Sequence, residues 1–163
     1  MNDKRKVAGY VKLAKLWERS KEKAIAFQHR YYEEKYADDE EFELVGVYID
    51  ITGQKEIAKR PQMLQLMHDC AHGKVDVIAA QTKGYLAANT GEFSYLVKFL
   101  FDLDPPIDLI TEEEAYQIDT ISNPENQREA LQAMVDKIVA MNPTEYVLWL
   151  KEIRHGMHKL GLK

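Results

Sequence analysis

Cysteine is all but missing from this sequence. Cys70 stands alone, which excludes an internal disulfide and fits a reducing, cytoplasmic setting. Long apolar runs are missing too: no stretch reaches the roughly 18 residues that a bilayer span requires, so no membrane segment is expected. The opening MNDKRKVAGYV carries basic residues but no apolar core before Lys12, and reads as no secretory signal. A positive charge excess is also lacking. The formal net charge is -5, which argues against a chain that coats nucleic acid indiscriminately and leaves room only for a local basic face. The sequence contains no internal repeat and no low-complexity tract.

What is present suffices for a core. Apolar residues make up 45% and charged residues 30% of 163 residues, as expected for one domain. Strand-like and helix-like segments alternate. VAGYVKLA (7–14) reads as a first strand, and residues 20–37 carry strong helix formers without Gly or Pro. FELVGVYID (42–50) is a second strand, followed by a polar loop and by Pro61 at the first position of a helix. Met63, Leu66, Met67 and Cys70 fall on one helical stripe, which Gly73 ends. Residues 75–80 form a short apolar run typical of a buried strand. Phe93, Leu96, Val97 and Leu100 repeat the helical spacing, and Pro105 and Pro106 close that helix. Ile107 to Ile110 is a fourth strand, and the chain from about Glu125 to Leu160 reads as helix. The acidic patch Asp38 to Glu41 is a solvated loop. This order predicts an α/β fold: a mostly parallel, four- to five-stranded sheet with helices on both faces over residues 1–122, then a C-terminal helical segment over 123–163. Sites in such sheets lie at the carboxyl ends of strands: here Lys12 to Ala14, Asp50 to Gly53, Gln81 to Ala88, and Thr111 to Glu114.

RPQMLQLMHDCAHGKVDVI (60–78) joins Arg-Pro, an amphipathic helix with Asp, and Gly-x-Val-Asp-x-Ile. Gly9-Tyr10-Val11 opens the first strand, Gln28 lies 14 residues past Ala14, and Glu114 is followed by Ile118-Asp119-Thr120. With the closing KEIRHGMHKLGLK, the chain resembles the resolvase/invertase family, the serine recombinases, from roughly Lys6 to Leu162. The resemblance implies a resolvase-like fold with a C-terminal dimer helix, and it implies phosphoryl transfer. A serine at the end of strand one attacks a DNA phosphodiester, and arginines hold the charge that spreads over the phosphorus centre. Carried over by position, the nucleophile falls on Ala14 and an arginine two residues earlier on Lys12. The family's Ser-x-Asp-Arg-x-x-Arg-Asn falls on Thr82 to Asn89, so that its acid becomes Gly84 and its arginines become Tyr85 and Ala88. Arg60 keeps its type. Asp50 answers to a loop aspartate, although DITG is shorter than the family's D-x-G-I-S-G. The resemblance thus implies the scaffold with its catalytic set removed, and no catalytic residue is assigned. Ser20, six residues past Ala14, reads as a helix N-cap rather than a substitute nucleophile.

Lys12, Asp50, Arg60 and Lys83 are the candidate members of a residual anion site. The favoured alternative pairs Lys12 and Arg60 with Asp50 or a neighbouring acid, with Tyr85 plugging the cleft. Tyr31, Tyr32 and Tyr36 read as partly buried on the first helix or near an interface rather than as base-stacking groups. His68 and His72 read as surface histidines and Cys70 as a buried thiol, not as a metal cluster; no metal or cofactor is implied. His155 and His158 read as solvated.

Near the C-terminus, Leu131, Met134, Ile138 and Met141 form one stripe. Trp149 lies beside a second: Leu150, Ile153, Met157 and Leu160. Between them Asn142-Pro143-Thr144-Glu145 predicts a helix break with a capping-box-like restart. The first face is expected on the sheet domain and the second toward a partner, although such a stripe can equally fold back on its own domain. No helix-turn-helix or zinc ribbon is read here. Lys151, Arg154, Lys159 and Lys163 give a mildly positive end suited to grazing a phosphate backbone. The expected function is a catalytically inactive recombinase-like domain acting by association on a bacterial or phage mobile element, as a homodimer or as a hetero-oligomer with an active recombinase. The alternatives are a DNA-associated recombinase subunit and a small-anion or nucleotide-binding module.

Overall fold

The structure is a computed structural model that describes residues 3–122 and 127–163. Four strands alternate with helices: β1 (Arg5–Leu13), α1 (Lys21–Tyr36), β2 (Phe42–Ile51), α2 (Pro61–Ala71), β3 (Val77–Ala80), α3 (Lys83–Leu86), α4 (Thr90–Phe101) and β4 (Asp108–Thr111). Two further helices follow, α5 (Glu129–Met141) and α6 (Pro143–Lys159), and 3-10 turns occupy Lys15–Ser20 and Ile57–Lys59. All strand pairs are parallel, in the order β2-β1-β3-β4. The sheet therefore has four strands; a fifth is represented among the described residues only by an isolated antiparallel bridge from Ile110 to Asp119. No described helix is long and apolar enough to cross a membrane.

The central strand explains the two layers. Alternate side chains of a strand face opposite ways, and in β1 Val7 and Val11 join Tyr32 and Tyr36 of α1, while Ala8 and Tyr10 join the larger core on the other face. Gly9 allows α1 to seat closely, since a Cβ there would lie 2.8 Å from the Tyr32 ring. Both stripes read from helical spacing, in α2 and in α4, are buried in the larger core. The connection β1-α1-β2 runs to one side of β1 and α2-β3 returns to the other, so the strand order reverses between β1 and β3. That crevice is where ligands enter open α/β sheets.

Small differences from the sequence reading lie at element ends. β3 begins at Val77 rather than Val75, and β4 covers Asp108–Thr111 rather than 107–110. The expected boundary at 122/123 and the helix start near Glu125 touch residues outside those described.

The break at Asn142–Pro143 is present. α5 stops at Met141, Pro143 opens α6, and Asn142 Oδ1 accepts from the Glu145 amide at 3.4 Å. The faces differ from expectation. α5 buries Val135 and Val139, while Leu131 and Ile138 are half-buried and Met134 and Met141 are exposed. Apolar residues cover more than one face of this helix, and its short valines settle inward. The stripe on α6 expected to meet a partner is an intramolecular core instead. Trp149 and Ile153 are 7% and 1% exposed, Leu150 and Met157 pack partly against the same cluster, and Leu160 remains exposed. Two features draw α6 inward. A Cβ at Gly156 would lie 2.8 Å from the Ala58 carbonyl oxygen, so the missing side chain permits close approach. Trp149 Nε1 also finds an acceptor, Glu92 Oε2, at 2.8 Å.

Candidate functional site at the carboxyl edge of the sheet

Ala14 lies one residue past β1, exposed, and opens the Lys15–Ser20 turn. Its methyl group offers no donor, acceptor or nucleophile. Beside it, Lys12 is half-buried and reaches the Thr52 carbonyl at 3.4 Å. Burial, and then the neighbouring Arg60, hold its amine below the usual lysine range.

Asp50, one residue before the end of β2, is buried, and both of its oxygens are occupied. Oδ2 accepts from the Tyr10 hydroxyl at 2.8 Å and the Met63 amide at 2.9 Å, and Oδ1 accepts from the Gln62 amide at 2.9 Å. It caps the first turn of α2, where unsatisfied amides favour a carboxylate. Burial, and then Asp50, push the Tyr10 phenol above its ordinary range.

Arg60 is fully buried. Nη1 donates to the Tyr85 and Leu86 carbonyls at 2.8 and 3.0 Å, and Nη2 donates to the Lys55 carbonyl at 2.7 Å. The guanidinium fixes the loop before α2 against α3. The expected pairing of Arg60 with Asp50 is therefore corrected: backbone carbonyls take the arginine and backbone amides take the aspartate. Lys83 pairs with Glu113 at 3.1 Å and donates to the Tyr116 carbonyl. Glu113 also accepts from the Lys83 amide and the Thr82 hydroxyl. Burial works to raise the Glu113 carboxyl, but these bonds and the Lys83 charge outweigh it and hold it below the usual range. Asp50, Arg60 and Lys83 are thus engaged by protein partners, while Lys12 makes only the single long bond to the Thr52 carbonyl.

The segment from Thr82 to Asn89 is built from helix caps. Thr82 Oγ1 accepts from the Gly84 amide, and Asn89 Oδ1 accepts from the Glu92 amide at 2.9 Å. Gly84 and Ala88 are exposed and carry no polar side-chain atom; Tyr85 is half-buried and packs against both cores. Gln28 is buried on α1, with its Oε1 accepting from Gln81 Nε2 at 3.2 Å. Ser20 is exposed at the N-cap position of α1, but its side chain makes no capping bond.

Within the strand end Thr111 to Glu114, the sequence reading gave Glu112 no role of its own. Glu112, just past β4, accepts from the Tyr31 hydroxyl and pairs with Lys35 at 2.7 Å, tying α1 to the sheet edge. Burial and this bond push the Tyr31 phenol up to about 12. The three consecutive glutamates at a strand end were the available signal. Tyr32 and Tyr36 are buried and Tyr31 half-buried. His68 is half-buried rather than at the surface: it stacks on His72 at 4.1 Å, and its Nε2 lies 2.7 Å from the Lys163 carbonyl. Cys70 is buried, which pushes its thiol up. Among the described residues no group of three or more His, Cys, Asp or Glu is placed to hold a metal.

No family model matches the sequence, and comparison with curated proteins finds no significant match. The architecture is more informative. The chain is similar to the N-terminal catalytic domain of TP901-1 integrase, with a TM-score of 0.56 and 22% identity over 88% of this chain and 98% of that domain. It is also similar to a resolvase family site-specific recombinase from Streptococcus pneumoniae, with a TM-score of 0.53 and 17% identity over 98% of this chain and all of that one. The fold is resolvase-like. In this resolvase-like fold the edge carrying Ala14, Asp50, Arg60 and Tyr85 is the one to which the sequence resemblance assigns the chemistry.

Proposed function

We propose that this chain keeps the serine recombinase scaffold without its strand-transfer chemistry, and acts by protein association: as a self-assembling subunit, or as a regulator of an active recombinase on a mobile element. The observation that carries the reading is Ala14, a methyl group at the position where the resemblance calls for a serine hydroxyl. Three further positions support it. Gly84, Tyr85 and Ala88 stand in place of an acid and two arginines, and the arginine that remains, Arg60, is committed to backbone carbonyls. Loss of one positioned donor typically slows such chemistry ~10²–10³-fold, and loss of the nucleophile removes the covalent path. Association is supported by apolar residues that α5 and α6 leave exposed, Met134, Met141, Val147 and Leu148.

The test is incubation with supercoiled DNA bearing candidate recombination sites. The expected result is neither nicking nor a covalent protein–DNA adduct; an adduct abolished by Ser20→Ala would overturn the reading. Light scattering tests association: a strict monomer at tens of micromolar, a rough working range for specific dimers, that also fails to co-purify with a neighbouring recombinase would defeat that half. A second reading, a DNA-associated subunit, draws on Lys151, Arg154 and Lys159, which are exposed on α6 and in no ion pair among the described residues. Affinity for duplex DNA that falls steeply with salt would favour it.

A further inference from the structure

The crevice between β1 and β3 opens into a cavity of about 480 Å³, walled by Leu13, Trp17, Phe27 and Tyr85 and edged by Lys23 and Gln28. Its volume falls in the range of small-molecule sites, and it lies at the strand-order reversal where such sites occur. Its walls are unusual for a solvent-facing surface. Trp17 is 45% and Phe27 59% exposed, and both line this one cavity; exposed large apolar side chains that share a concave site point to binding more than scattered ones do.

The polar groups at the cavity specify the guest. Among the described residues no carboxylate lines it. Lys23 is exposed and in no ion pair among the described residues. Gln28 is only 7% exposed, yet just its oxygen is used, by Gln81; its amide nitrogen has no hydrogen-bond partner among the described residues. That nitrogen is not among the buried unpartnered atoms, so it is open to the cavity as an available donor rather than an orphaned one. The cavity thus presents an ammonium and an unspent N–H beside three aromatic walls.

We propose that this cavity binds a small aromatic carboxylate, its ring against Trp17, Phe27 and Tyr85 and its anionic group on the donors Lys23 and Gln28. Lys12, Asp50, Arg60 and Lys83 do not line this cavity, and the proposal does not depend on whether the chain cleaves DNA.

The test uses the full chain and 2-naphthylacetate as probe, followed by calorimetry and by tryptophan fluorescence. Saturable one-to-one binding is expected with a Kd below about 1 mM. The neutral isostere 2-naphthylacetamide should bind about fivefold more weakly, and Lys23→Glu should weaken naphthylacetate about tenfold by reversing the rim charge. Trp17→Ala should remove most of the affinity. Both substitutions are at exposed positions, and unchanged circular dichroism checks that the variants fold. Absence of binding below 1 mM overturns the proposal, as does equal affinity for acid and amide, or binding indifferent to both substitutions. Inorganic phosphate binding as tightly as naphthylacetate would point to charge alone and also overturn it. If the wild type self-associates, Trp17→Ala is monomeric and naphthylacetate does not bind, the occupant is a second copy of the chain and the proposal fails.

Discussion

Arg60 shows how one residue can keep its type and change its work. Its planar fork suits several acceptors held in fixed positions, and here those acceptors are three carbonyls from two segments. Arg60→Ala would leave a cavity and remove the donor from these carbonyls, of which the buried Leu86 group costs about 1–3 kcal/mol when orphaned. The expected loss is about 3 kcal/mol or more, read from the urea midpoint; Arg60→Lys should rescue little, because one ammonium cannot span three acceptors. The same commitment governs Ala14→Ser. The substitution returns a hydroxyl to the end of β1, but with Arg60 engaged and Tyr85 and Ala88 offering no cation, DNA cleavage should remain undetectable on a gel. Detectable cleavage would mean that Lys12 and Lys83 supply more charge stabilisation than their present partners suggest.

At the scale of elements, α6 is held by a contact that only glycine permits. Gly156→Ala places a methyl 2.8 Å from the Ala58 oxygen, and overpacking of this kind costs about 1–3 kcal/mol, measurable as a lower melting temperature. Asn142→Ala should cost about 1 kcal/mol through loss of the cap that restarts the helix. The helix break was legible because proline and an N-cap residue act locally. The stripes on α2 and α4 were legible because buried residues recur on each at helical spacing. The direction of α6 was not legible. Its stripe at Leu150, Ile153 and Met157 has the same spacing whether it meets a partner or its own α2, and the deciding contacts, Gly156 on Ala58 and Trp149 on Glu92, join residues far apart in sequence. An isolated glycine within a helical pattern, which often marks close packing, was the clue available.

Across the whole molecule, Asp108 links the sheet to the C-terminal helices. It pairs with Arg5 from β1 and with Arg128 ahead of α5, both at 2.6 Å, and accepts from the Thr120 hydroxyl. Burial works to raise its carboxyl, but the bonds from Thr120, Arg128 and Arg5 outweigh it and hold it below the ordinary value of 3.8. A depressed carboxyl contributes stability that is fully present above its unfolded value and is lost as pH falls through its folded value. The urea midpoint should therefore hold steady down to about pH 4 and decline below it. Asp108→Asn should lower stability at pH 7 and flatten that decline; an unchanged acid limb would assign the acid sensitivity elsewhere.

The alternation of strand and helix, the two buried stripes, the break at Pro143 and the missing hydroxyl at Ala14 were determined by the sequence itself, because periodicity, backbone restriction and side-chain chemistry are local properties. The fate of each charge at the sheet edge was decided only by tertiary structure. Lys12, Asp50, Arg60 and Lys83 reach one edge on different segments, and whether they face a shared ligand or separate partners depends on which carbonyls and amides the folded loops bring within hydrogen-bond reach. The apolar cavity beside them was hidden for the same reason: Trp17, Phe27 and Tyr85 become neighbours only when the Lys15–Ser20 turn, α1 and α3 are gathered at the carboxyl end of β1.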